Sequence, residues 1–221
     1  MQDFISFFSD SDPTNVSTSV KLLLVLTVLS LAPSILILMT SFTRIVIVLS
    51  FTRTALATNQ MPPNQVIIGL ALFLSFFVMA PTFNEVNEEA LQPLFAEEID
   101  LDEAYNRATI PFKEFMASHT RQKDLELFLS YNQAERPDTV EEIPLTMLVP
   151  AFALSEIKTA FQMGFMIFIP FLVIDMVVAS VLMSMGMMML PPVMISLPFK
   201  ILLFVLVDGW YLVIKSLLQS F

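Results

Sequence analysis

The chain has 221 residues, 56% hydrophobic and only 14% charged, with 4 glycines and no cysteine. Several apolar runs approach the roughly 18–20 residues that span a bilayer. Because open sheet edges do not survive in lipid, the chain reads as an all-α, polytopic helical membrane-type protein. The lack of cysteine excludes a disulfide framework and thiolate metal sites, and the net charge of −10 excludes nucleic acid as a natural partner.

The charge is not spread evenly. Residues 85–142 hold 15 acidic and 5 basic side chains, which is the whole of the net charge. One acidic segment therefore interrupts a neutral, apolar chain, consistent with an extracytoplasmic position.

Residues 1–21 form a polar lead with scattered aromatics, Phe4, Phe7 and Phe8. No basic stretch precedes Lys21 and no polar mature start follows the next apolar run, so a cleaved signal peptide is not expected. Residues 22–83 form a first helical hairpin region. A first span covers 22–39, with Pro33 as a kink.

Residues 40–53 are helical in pattern yet carry Arg44, Arg53 and many hydroxyls. The two arginines point to opposite faces at about 100° per residue. Each either snorkels to an interface or meets a carboxylate or a carbonyl rim on a neighbouring subunit. The double proline at 62–63 predicts a turn, and 66–80 a second span closed by Pro81.

The acidic insert occupies 84–145. Asp100 to Glu103 has the form of a capping box, opening a helix that should kink at Pro111. Leu125, Phe128 and Leu129 make an apolar stripe that must pack on something. His119 reads as a solvated surface histidine. A second capping-box pattern at 139–142 is cut short by Pro144.

Residues 146–221 form a second hairpin. One long apolar helix is expected from 147 to 189, carrying Glu156, Lys158, Gln162 and Asp175, and ended by Pro191-Pro192. A last span follows over 195–218 with Lys200, Asp208 and Trp210. Between them, five of the seven residues from 183 to 189 are methionine: Met183, Met185, Met187, Met188 and Met189. Gly186 lets the backbone bend there. The run either fills an apolar turn, captures Cu(I) through thioethers, or forms a deformable constriction in a conduit.

An uncompensated charge at mid-membrane costs about 2.5–3.5 kcal/mol on insertion scales. Glu156 lies 33 residues before Met189 and Lys200 lies 11 after it. Legs of such different length favour a partnership between neighbouring copies over one within the hairpin, which points towards a ring. Enzyme motifs are missing: there is no nucleophile elbow, zinc helix or phosphate loop. Asp175 lacks the second carboxylate of an aspartyl protease. A proton-coupled transporter of small solutes using Glu156, Asp175 and Asp208 remains the alternative.

Five stretches carry a family resemblance: TRIVIVLSF at 43–51, PPNQV at 62–66, SEIKTAFQ at 155–162, the run from 183 to 192, and LPFK at 197–200 with VLVDGW at 205–210. They resemble the FliP family of flagellar type III secretion export-gate proteins, whose injectisome counterparts are similar. The match covers about residues 20–83 and 143–221. The resemblance implies a pore-forming, non-enzymatic subunit without cofactor or metal, in the bacterial cytoplasmic membrane at the flagellar basal body. It implies a ring of about five copies that joins FliQ and FliR, with FlhB and FlhA as further partners. Unfolded flagellar proteins would be the cargo. It also implies a gate at Met187, Met188 and Met189, and an intersubunit ion pair of Glu156 with Lys200.

Overall fold

The computed structural model describes residues 23, 26, 27, 30, 33–58, 60–134, 137–187 and 189–221. The chain divides into two compact units, Met1–Ile37 and Leu38–Phe221. In the first unit, residues 33–37 are helical, and the Thr27 hydroxyl donates to the Leu23 carbonyl at 2.8 Å. The expected polar lead and much of the first span lie outside the described residues.

In the second unit every regular element among the described residues is a helix, so the fold is all-α. In order they are α1 (Phe42–Ala55), α2 (Asn64–Val86), a π turn (Asn87–Leu91) and α3 (Gln92–Phe95). The insert contributes α4 (Leu101–His119) and α5 (Gln122–Tyr131), followed by α6 (Leu145–Ser184), α7 (Pro192–Leu206) and α8 (Gly209–Leu218).

Helix α1 owes its place to a buried stripe, Ile45, Val48, Leu49 and Thr52, at the spacing of one helical face. That face packs chiefly on α6. The two helices come very close at Gly164, where a Cβ would stand 2.5 Å from the Phe51 ring. Phe51 then meets Phe161 and Phe168 edge-on, with ring centres 5.1 and 6.3 Å away. The hydroxyls that looked odd in an apolar helix satisfy themselves locally: Ser50, Thr52 and Thr54 each donate to the carbonyl four residues back.

The turn at the double proline is present, with Pro63 directly before α2. The expectation that Pro81 closes the second span is corrected. Helix α2 runs through Pro81 to Val86 and passes into the π turn. One missing ladder bond is a local loss, whereas the turns on either side propagate cooperatively.

The acidic insert folds back on the start of α6. Met116, Ile143, Leu148 and Phe152 form a buried cluster, flanked by Phe112, Phe115, Leu125 and Val140. The Asp100 carboxylate accepts from the Glu103 amide at 2.8 Å, so the expected helix start is found. Pro111 does not break α4, which continues to His119 with the proline buried. Helix α5 is pinned by its polar side as well as by Leu129. The Ser155 hydroxyl of α6 donates to Asp124 at 2.5 Å and accepts from the Arg121 amide at 3.0 Å.

Helix α6 has 40 residues. At about 1.5 Å per residue it is near 60 Å long, roughly twice the hydrocarbon thickness of a bilayer. The stretches Asn64–Phe95 and Leu145–Ser184 are each long and apolar enough to cross a membrane. Helices α7 and α8 pass the same test only as a pair, bent by 62°. The expected last span is therefore interrupted: Asp208 takes a left-handed conformation, φ 50°, and breaks the ladder before Gly209.

Candidate functional site: a methionine turn and buried charges

Helix α6 ends earlier than the sequence suggested, at Ser184 rather than at the double proline. Gly186 has φ +74°, the left-handed region open to glycine. Its amide donates to the Met183 carbonyl and the Met187 amide to the Leu182 carbonyl, both at 3.0 Å. This pair of bonds is a Schellman cap, which satisfies the last carbonyls and turns the chain. Pro191 and Pro192 therefore start α7 instead of stopping α6. Pro192 fills the first helical position, where no amide is needed.

The described methionines of the turn are exposed. Met183 is 65% exposed, Met185 56%, Met187 37% and Met189 98%. Met188 lies outside the described residues. Among the described residues, little covers this apolar hairpin tip. Methionine is unbranched and polarizable, so such a tip can close against like surfaces and re-pack around a passing shape.

Behind the tip the carboxylates and cations are paired. Lys200 of α7 is 2% exposed, and its Nζ lies 2.6 Å from Asp175 of α6. The Ser196 hydroxyl donates to the other Asp175 oxygen at 2.5 Å. Deeper in the fold, Arg44 of α1 makes a two-pronged ion pair with Glu156 of α6. Glu156 is 0% exposed and Arg44 3%. Arg44 Nη1 also donates to the Ser220 carbonyl at 2.7 Å, and its guanidinium lies 3.9 Å from the centre of the Phe221 ring. The bidentate geometry fits a guanidinium, and the stacked ring covers its face.

These pairs bear directly on the expected residues. Within the chain Glu156 and Lys200 are not partners: Arg44 holds the first and Asp175 the second. Arg44 finds its carboxylate in its own chain, a third outcome beside the two the sequence left open, snorkelling to an interface or meeting a neighbouring subunit. Arg53 is half-buried and likewise stays in its own chain, donating to the Asn64 side chain at 2.5 Å and to the Pro62 carbonyl at 3.3 Å. Asp208 is exposed at the α7–α8 break, without a side-chain hydrogen bond at the helix it precedes. His119 is not a free surface group. Its ring centre lies 4.7 Å from that of Phe115 and 5.5 Å from that of Phe221, both in tilted contacts, and Nδ1 sits 2.8 Å from the Phe115 carbonyl.

Sequence reasoning missed Ser196, Asn64 and Ser155 as polar partners. A signal for the Asp175–Lys200 pair was present. Asp175 stands 12 residues before Met187 and Lys200 13 after it, so the two legs match. Ser196 lies four residues before Lys200, on the same face of α7.

The FliP family model matches residues 25–217. The flagellar biosynthetic protein FliP of Bacillus subtilis (strain 168) is 74% identical over 221 residues, covering 100% of both chains. The flagellar biosynthetic protein FliP of Aquifex aeolicus (strain VF5) is 54% identical over 209 residues, 94% of this chain and 87% of that one. The protein of the same name from Caulobacter vibrioides is 56% identical over 202 residues, 91% of this chain and 76% of that one.

Proposed function

This chain belongs to the FliP family of flagellar biosynthetic proteins, and from that premise we propose that it is a pore-forming core subunit of the flagellar protein export gate. It sits as a multi-pass protein of the bacterial cytoplasmic membrane, at the flagellar basal body. About five copies form a ring with FliQ and FliR, beside FlhB and FlhA, within a type III secretion apparatus. Unfolded flagellar proteins pass through the ring, and the methionine turn closes it when idle.

One observation carries this reading: a capped hairpin tip whose methionines stand in the open between two apolar helices. A tip of that kind is costly in water unless other copies cover it. The subunit does no bond chemistry and draws its energy from elsewhere. The intersubunit pair of Lys200 with Glu156 forms in this reading only if Lys200 leaves Asp175 and Glu156 opens its Arg44 pair, because both side chains are buried within the single chain. The proton-coupled solute transporter is less well supported. Two of the carboxylates it needs, Glu156 and Asp175, are committed to ion pairs with Arg44 and Lys200.

Joint replacement of Met187, Met188 and Met189 by alanine tests the gate. Cells carrying the variant are expected to leak ions or small solutes while still exporting some flagellar protein. Native membrane permeability in that variant would count against a methionine seal.

A further inference from the structure

Among the described residues of α1, α6, α7 and α8, most charges are answered within the chain. Arg44 is paired with Glu156, and Lys200 with Asp175. Arg53 is held by Asn64 and the Pro62 carbonyl. Lys215 lies 6.0 Å from the Tyr211 ring in the last turn of α8, where the helix dipole favours a cation. Two groups of opposite sign remain, Lys158 and Asp208, both exposed. A charge on an apolar surface that becomes covered needs a partner.

Their surroundings are both apolar and opposite in charge. Lys158 sits in the middle of an exposed ridge on α6, with Leu154, Phe161 and Phe165 on the same helical face. Asp208 lines a cleft of about 500 Å³ at the α7–α8 break, whose other walls include Leu56, Met61, Ile201, Phe204 and Trp210. One surface is an apolar ridge bearing a cation, and the other an apolar cleft bearing an anion.

We propose that the α6 ridge of one copy docks into the α7–α8 cleft of the next, bringing Lys158 onto Asp208. This rests on the ring reading above and deepens it. Ridge and cleft are different surfaces of one chain, so the contact is head-to-tail, the kind that builds rings and helical arrays. Lys158 extends its aliphatic stem along the apolar wall and places the ammonium at the rim. The pairing removes both unanswered charges at once. The contact lies away from the methionine turn, so it sets the spacing of the copies and not the seal.

The charge exchange is made in the full export complex, in membranes. Lys158→Glu and Asp208→Lys are each expected to lower the amount of complex holding several copies by about tenfold, and the two together to restore most of it. Single variants that assemble like the native chain, or a double variant no better than the worse single one, overturn the contact. A second measurement leaves both charges in place. Phe161→Cys with Val205→Cys, in a chain that has no cysteine, is expected to give a ladder of disulfide-linked copies on oxidation. Absence of a ladder while the native chain still yields multi-copy complexes overturns this contact and leaves the ring standing. If the native chain forms no multi-copy complex, the ring falls and the contact with it.

Discussion

Arg44 does three things with one side chain: it neutralises Glu156, ties down Ser220 and carries the Phe221 ring. Breaking a buried pair by removing one partner strands the other charge, at about 3–5 kcal/mol. Arg44→Met should therefore cost the extracted single chain roughly that much, read as a lower thermal stability. If Lys200 of the next copy reaches Glu156 in the proposed ring, the loss in the assembled complex should be smaller. An equal loss in both settings would mean that Glu156 has no second cation and belongs to Arg44 alone. The sequence made Glu156 conspicuous as a charge in an apolar run. It did not reveal the partner, because Arg44 and Glu156 are 112 residues apart and meet only once α1 lies on α6.

Among the elements, the ends of helices show what a single chain of letters carries. The start of α4 was legible because an N-cap acts through its own side chain, and Asp100 does bond the Glu103 amide. The bend at Gly186 was legible for the same reason, since only its missing Cβ is needed. The end of α6 was misplaced because the double proline is the louder signal, although the glycine five residues earlier acts first. At Asp208-Gly209 a turn signal lay inside an apolar run and was outweighed by it. Gly186→Ala should lower stability by about 1 kcal/mol through backbone strain alone, since nothing lies within 4 Å of a Cβ there. Gly69→Ala in α2 has equally open space and no positive φ, so it should be neutral or stabilising. Equal effects at the two positions, measured by thermal unfolding, would mean that the Schellman turn is not required.

At the scale of the whole molecule, the apolar exterior is the dominant fact. Exposed Phe73, Phe77, Phe165, Met176 and Met189 leave a surface that is not stable alone in water. Composition alone conveyed this, as it did the acidic insert, because both are bulk properties of long stretches. How the insert is attached was not legible. It depends on Phe115, Met116 and Ile143 meeting the first turns of α6, and on Ser155 bonding Asp124. The chain thus combines a firm, polar-pinned body with an open methionine tip, which suits a fixed frame around a deformable seal.

The lack of native cysteine makes the central claim directly accessible. A single cysteine replaces Met189, a second is placed in an exported flagellar protein stalled by a folded tag, and the disulfide between them is sought in cells. We predict a cross-link that forms only when the substrate is stalled. Cross-links between copies of this chain, with none to a stalled substrate, would contradict a conduit at the methionine turn.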